Sequence, residues 1–296
     1  MELDIDRLYG RMPEGMQTVA QKWFYILDPR RSWAERRKPD ATHDAFVERF
    51  FEDESEYRRY ESEFLEGPVP DAIWEGIEEI DDEYTVFDAH RDECLKYYAL
   101  VRKFRPDRLV ETGVYSGIST LSLLAALEEN DHGRLYSIDD SEHVTAAVRN
   151  GSETDIERHY TRERPSCAEP EGYLLPPGKE PGWLVPENLR DRWELTTGRS
   201  RAELPELLAR LDGVDFFLHD SEHSAARMFF EFELAWESLE PGGMIWSSHV
   251  DWNDAFETFA EERPCERGLV AFHYFGYRDH EDPTPCSTGY IRKPDR

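Results

Sequence analysis

The sequence predicts an α/β protein in which helices cover both faces of a mostly parallel sheet, with a helical extension at the amino terminus. Three observations predict it. From about residue 93, apolar strand-type segments alternate with helix-type segments. One strand-to-helix junction carries the glycines Gly113 and Gly117. Two later strands end in clusters of Asp, His and Ser, at the position where an open α/β sheet faces its ligand crevice.

The elements follow in order. Residues 1 to about 90 combine dense charge with aromatics, as in Phe46-Val47-Glu48-Arg49-Phe50-Phe51 and Tyr57-Arg58-Arg59-Tyr60, at a helical spacing broken by Gly67-Pro68 and Pro70. These are read as helices of an extension whose aromatics are packing surface, with residues 91–296 as the main domain. A helix over 93–104 stops before Pro106. Arg108 to Glu111 is an apolar strand running into the glycine turn, and Ile118 to Glu129 carries apolar residues at helical spacing. Asn130-Asp131-His132-Gly133 stops that helix, and strand Arg134 to Ile138 ends in Asp139-Asp140. Residues 150–190, rich in Pro, Gly and charge, interrupt the alternation and are read as a cap inserted over a site. The rhythm resumes with strand Trp193–Thr197, a helix over 201–211, strand Val214–Leu218 and a long helix from about 222 to 239. Pro241-Gly242-Gly243 turns into strand Met244–Ser248. A helix from about 254 to 263 and strands near Leu269–Tyr274 and Gly289–Arg292 close the sheet.

Charge limits the partners. Sixty-four Asp and Glu against 35 Lys and Arg leave a formal charge of −29 over 296 residues, which repels nucleic-acid phosphates and anionic lipid, and no basic patch is segregated along the chain. Only six of the basic residues are Lys. An acidic, Lys-poor surface is similar to that of proteins from salt-in halophiles, whose cytosol screens the self-repulsion; an acidic mesophilic protein is the competing reading. The start, Met-Glu-Leu-Asp-Ile-Asp, has neither the basic nor the apolar region of a secretory leader, so the expected location is cytoplasmic. The apolar stretch Leu121–Leu127 is far below the ~18 residues of a membrane span. Four cysteines lack any Cys-x-x-Cys spacing and are read as reduced, structural thiols.

Glu111-Thr-Gly113-Val-Tyr-Ser-Gly117 suits a nucleotide-like ligand, because glycines permit close backbone approach and the helix behind them offers free N–H groups. A carboxylate at 111 would repel a pyrophosphate and favours a ligand with a cationic part. Asp139, at the end of the next strand, is placed to accept from ribose hydroxyls. The plainer reading is a tight turn whose Glu caps neighbouring backbone. Further on, Asp220 and His223 can converge after strand Val214–Leu218. A neutral His suits removal of a hydroxyl proton, so His223 is the candidate base, with Asp220 orienting it or binding a metal. The alternative is that Asp220 or Ser221 caps the next helix and His223 lies on the surface of its first turn. Trp183 either closes over the site or anchors the insertion, and Tyr115 either flanks the ligand or packs beneath the turn.

Glu111 to Gly117, Ser119-Thr120, Ser137-Ile138-Asp139, Gly198-Arg199-Ser200, Val214 to Ser224 and Pro241-Gly242-Gly243 together resemble the class I S-adenosylmethionine-dependent methyltransferases. The resemblance is to the group of macrolide-sugar O-methyltransferases and cephalosporin-hydroxylase-like proteins, and covers about residues 93 to 292. It implies a Rossmann-like, doubly wound sheet of seven strands, one of them antiparallel. It implies S-adenosylmethionine over the carboxyl strand ends, on the turn of Gly113, Gly117 and Ser119. Glu111 would lie near the methionine ammonium, Asp139 on the ribose, and Arg199 and Ser200 near the adenine edge. Related Mg²⁺ enzymes often carry an acidic pair where this sequence has Ser248-His249. Asp220 with His249, and Asp251 as a further ligand, could still hold a divalent metal, and the His nitrogen would favour Zn²⁺, Mn²⁺ or Fe²⁺ over Mg²⁺. The metal-free alternative leaves the proton to His223 and His249. The implied reaction is O-methylation of a polar small molecule or a sugar or glycan precursor; a uronic-acid carboxylate acceptor would need no base.

Two other readings stand beside it. An NAD(P)-dependent oxidoreductase fits less well, since no Lys has Tyr four residues before it and the glycine spacing differs from Gly-x-Gly-x-x-Gly. A non-catalytic cofactor-binding scaffold would account for the missing acidic pair. A homo-oligomer is left open. If the acidic surface is built for high salt, dialysis from molar KCl into dilute buffer will unfold the protein, read as loss of the far-ultraviolet circular dichroism signal; full retention of that signal would favour the mesophilic reading.

Overall fold

The computed structural model describes residues 41–78, 91–142, 175–250, 253–272 and 286–295. The remainder of the extension, residues 143–174 of the insertion and its approach, Asp251 and Tyr274 lie outside the described residues.

Three helices, α1 (Ala41–Phe50), α2 (Glu54–Glu66) and α3 (Pro68–Glu78), come first, followed by α4 (Arg91–Phe104). Then come β1 (Arg108–Thr112), α5 (Ile118–Asn130), β2 (Arg134–Asp139), a 3₁₀ turn at Glu187–Arg192, β3 (Trp193–Thr197) and α6 (Ser200–Arg210). The chain continues through β4 (Val214–His219), α7 (Ala225–Ser238), β5 (Leu239–Ser247), α8 (Ala255–Glu261), β6 (Glu266–Phe272) and β7 (Cys286–Arg292). The seven strands form one sheet in the order β3-β2-β1-β4-β5-β7-β6. The first five run parallel, while β7 pairs antiparallel with both β5 and β6. The chain reverses from β1-β2-β3 to β4-β5 beside β1, so the carboxyl ends of β1 and β4 border the switch point where such sheets bind ligands.

The strand cores are apolar because both faces are covered. Val110, Phe217 and Ile245 sit in the middle of β1, β4 and β5 against Leu204, Leu207, Met228, Phe232 and Phe259 from the helices. On the other side Trp246 stacks on Tyr290 and meets the edges of Phe46 and Tyr97. The described aromatics of the extension, Phe46, Phe50, Phe51, Tyr57 and Tyr60, are all buried, so their reading as packing surface holds. Asp53 caps α2, accepting from the Glu56 amide at 3.0 Å. Lys103 donates to both Glu56 carboxylate oxygens at 2.8 Å, tying α4 to α2.

Two boundaries differ from the sequence expectation. The long helix starts at Ala225, not near 222, because Ser224 is its N-cap and accepts from the Arg227 amide; Asp220 to His223 therefore stay outside the helix. Strand β5 starts at Leu239, with Leu239 opposite Val214, and the register shifts between Val214 and Phe216 around the left-handed Gly242. The Pro-Gly-Gly segment is an irregularity within the strand rather than a turn before it. Phe217 is fully buried in the central strand β4, so Phe217→Ala should lower the unfolding free energy by about 3–5 kcal/mol, measured by denaturant titration in molar KCl; a loss under about 1 kcal/mol would contradict this packing.

Candidate active site

The glycine turn is held from below by a buried carboxylate. Glu111, next to last in β1, is fully buried and accepts from Ser119 Oγ, Thr120 Oγ1 and Ser137 Oγ, each at 2.7 Å. Burial pushes its carboxyl up to about 7, against the pull of these three hydroxyls. These contacts make Glu111 a brace between β1, the start of α5 and β2. Ser119 is likewise turned onto Glu111.

Both glycines are required by geometry. Gly113 (φ +88°) and Gly117 (φ +92°) are left-handed. A Cβ on Gly113 would collide with the Asp220 carbonyl, and one on Gly117 would lie 2.8 Å from the Gly182 Cα. The close neighbours are therefore other segments of this chain. The Gly182 amide donates to the Tyr115 carbonyl at 2.8 Å and the Leu184 amide to that of Ser116 at 3.1 Å, so residues 182–184 lie across the turn as a strap. Arg190 holds the strap through the carbonyls of Val185 and Gly182 and lies over the Trp193 ring. Trp183 packs towards Gly76 of α3, with Lys179 over its ring, the arrangement of an anchor. Tyr115 is left-handed without being glycine, at φ +49°, a conformation rare enough to mark a functional turn.

Asp139 ends β2 and folds over the same turn. Its Oδ2 accepts from the Val114 and Tyr115 amides at 2.7 and 2.8 Å, and its Oδ1 from the Ser141 amide at 2.6 Å. A carboxylate has about four acceptor sites, so one is left for a ligand hydroxyl. Arg199 is largely exposed and reaches Asp140 at 3.3 Å. Ser200 points the other way, donating to Glu231.

Asp220, His223 and His249 converge. One ligand atom from each lies within 4.8 Å of the others; His223 Nε2 is 3.8 Å from Asp220 Oδ1, and the His223 and His249 rings meet near-perpendicular with centroids 4.5 Å apart. His249 is left-handed at φ +53°, so the chain leaves β5 in a costly conformation that aims this ring at its partners. Neither Asp220 nor Ser221 caps α7. The cluster is immediately beside Gly113, whose missing side chain makes room for Asp220.

Two buried carboxylates beneath this cluster were not singled out from the sequence. Glu231 on α7 is fully buried and accepts from Thr112 Oγ1 (2.6 Å), Ser221 Oγ (2.9 Å), Ser200 Oγ and His219 Nδ1 (2.7 Å). Burial raises its pKa, but His219 and the hydroxyls more than offset this and hold it below the ordinary carboxylate range. Glu93 on α4 accepts from Tyr97, Ser248 Oγ (2.9 Å) and Thr288 Oγ1 (2.7 Å). The available signal for Glu231 was a charge on the apolar stripe shared with Met228, Phe232 and Ala235.

Residues 110–247 match the sequence profile of a family described as a methyltransferase domain, a span that runs from the middle of β1 to the end of β5. No curated protein matches the sequence. Among solved structures, a candidate O-methyltransferase from Klebsiella pneumoniae is similar at 12% identity and a TM-score of 0.50, over 94% of this chain and 100% of the other. An O-methyltransferase from Bacillus cereus in complex with S-adenosylhomocysteine aligns at 15% identity, TM-score 0.47, over 84% of this chain and 96% of its own. The O-methyltransferase of tomaymycin synthesis from Streptomyces achromogenes, in complex with S-adenosylmethionine, aligns at 13% identity and TM-score 0.46, over 76% and 89%. The seven-stranded order with antiparallel β7 is a Rossmann-like fold, and the stretch from β1 to β5 within it matches the methyltransferase-domain profile. The profile favours methyl transfer over the oxidoreductase reading.

A carboxyl whose folded pKa is raised binds its proton more tightly in the native state. Its contribution is complete below the unfolded value near 4.5 and is lost as pH rises through about 7. Glu111→Gln, which stays neutral, should therefore gain stability relative to wild type between pH 5 and 8, by roughly 3 kcal/mol at the upper end. Denaturant midpoints of both proteins across that range will test it; parallel profiles would show that Glu111 titrates in its ordinary range.

Proposed function

We propose that the protein transfers a methyl group from S-adenosylmethionine to an oxygen of a polar small molecule, a sugar or glycan precursor being the favoured acceptor. The observation that carries this reading is the convergence of Asp220, His223 and His249 at the carboxyl ends of β4 and β5, against the glycine turn. The amides at the start of α5, the left-handed turn and the remaining acceptor site of Asp139 suit a bound nucleoside. Glu111 acts on the cofactor through the turn it braces, Arg199 stands at the exposed edge beside Asp140, and Ser200 supports that edge through Glu231.

S-adenosylmethionine supplies the methyl group on a sulfonium, so the chain has to align the acceptor and take its proton. His223 would take the acceptor's hydroxyl proton at Nε2 during that transfer. Asp220, 3.8 Å from that nitrogen, stabilises the imidazolium that results. The facing ring of His249 walls the same space.

A second reading is favoured by the three donor atoms lying within 4.8 Å of one another. Asp220, His223 and His249 would suit a divalent ion, and two nitrogens with one oxygen fit Zn²⁺, Mn²⁺ or Fe²⁺ better than Mg²⁺. Such an ion would supply Lewis-acid polarisation of an acceptor oxygen. Asp251, the other expected ligand, lies outside the described residues.

Calorimetric titration in molar KCl with S-adenosylmethionine and S-adenosylhomocysteine, on metal-stripped protein and then with Zn²⁺, Mn²⁺ or Mg²⁺ restored, tests both readings. Binding that Asp139→Ala weakens at least tenfold is expected; a folded protein that binds neither compound would refute the function. Heat of Zn²⁺ binding that His249→Ala removes would favour the metal reading, and its absence the direct role of His223.

A further inference from the structure

His219 closes β4 one residue before Asp220 and is fully buried. Its Nδ1 is 2.7 Å from Glu231 Oε2, and the other three partners of that carboxylate are hydroxyl donors. An ionised acceptor so surrounded fixes the proton of His219 on Nδ1 and the ring in one plane. The Nε2 of the same ring is buried and meets no hydrogen-bond partner among the described residues. Buried ring nitrogens are usually satisfied, so a histidine here costs stability that a purely packing residue would not. What the ring edges do meet is aromatic: Phe232 at 5.4 Å on one side and His223 at 5.3 Å on the other, both near-perpendicular.

His223 thus meets two rings, His219 at 5.3 Å and 85° and His249 at 4.5 Å and 70°. The two walls are unlike. His249 stands on a strained backbone after β5, whereas His219 is the last residue of a central strand and is clamped by Glu231, itself held from β1, α6 and the β4–α7 connection. We propose that His219, clamped by Glu231, is the positioning residue that fixes the ring plane of His223. This rests on the reading of His223 as the base: a base must present one nitrogen to the acceptor, and a ring free to rotate would lose most of that alignment.

The test separates the ring from the hydrogen bond. His219→Asn keeps a donor where Nδ1 stands but removes the ring; His219→Phe keeps the ring but removes the donor. Histidine-labelled full-length protein in molar KCl gives carbon-bound ring proton signals for His223, assigned by their disappearance in His223→Gln. In wild type the perpendicular neighbours should displace these signals from their positions in the urea-unfolded chain. His219→Asn should bring them part of the way back, the contribution of His249 remaining, with the fold intact by circular dichroism, while His219→Phe, without the donor to Glu231, should leave a displacement smaller than that of wild type. Unchanged His223 signals in folded His219→Asn would overturn the proposal. Should His219→Asn fail to fold, the Phe variant decides: signals displaced as in wild type would show that the Glu231 clamp does not position His223 and would overturn the proposal. Titration of the same wild-type sample with S-adenosylhomocysteine keeps the two questions apart: no binding would refute methyl transfer while leaving the ring contact established.

Discussion

A carboxyl group taken out of water must be met by several hydrogen-bond donors or its burial is costly, and this protein places three glutamates in that situation around the carboxyl ends of its strands. Glu231 gathers donors from β1, the start of α6, β4 and the β4–α7 connection. Glu111 gathers them from the start of α5 and from β2, and Glu93 from α4, the residue after β5, and β7. Each carboxylate fixes the spacing between elements that apolar packing alone would leave free to slide. Removing one donor leaves a buried group undersatisfied, so these networks tolerate little drift. Tyr97 stays protonated and able to donate, because burial, Glu93 and Asp220 push its hydroxyl well above the ordinary range.

The chemistry sits on top of that frame. The glycine turn approaches Asp220 more closely than any side chain at 113 would allow, which brings the carboxyl ends of β1 and β4 to adjoining positions. Positive φ at Tyr115 and His249 is tolerated because hydrogen bonds and packing around both residues outweigh its cost, and in each case the strained residue borders the site. The surface is held differently: Arg192 pairs with Glu128 and Asp131, and Arg263 with Glu233 and Glu262, exposed contacts of about 0–1 kcal/mol each that salt weakens further.

Much of this was legible in the amino-acid order. Alternating strand and helix segments gave every described strand to within a few residues, and the charge on the strand-end cluster pointed to Asp220, His223 and His249. What escaped were relations between distant residues. Glu231 lies in a helix rich in aromatics, and nothing near it in the chain reveals that Thr112 and Ser200 will donate to it. Glu111 and Ser119 read from the sequence as cofactor contacts, yet their side chains bind each other, because the helix that follows the glycine turn folds back along the strand before it.

By itself the sequence determined the layering of the fold, the glycine-bearing turn and the residue types available for proton transfer, because apolar periodicity, turn chemistry and side-chain basicity are local properties. Tertiary structure alone decided which polar groups were consumed in holding the frame and which were left for a ligand. That division depends on burial and on distances of a few ångströms between residues as much as 195 positions apart, as between Glu93 and Thr288. No local pattern encodes those distances; the packed sheet and its helices set them.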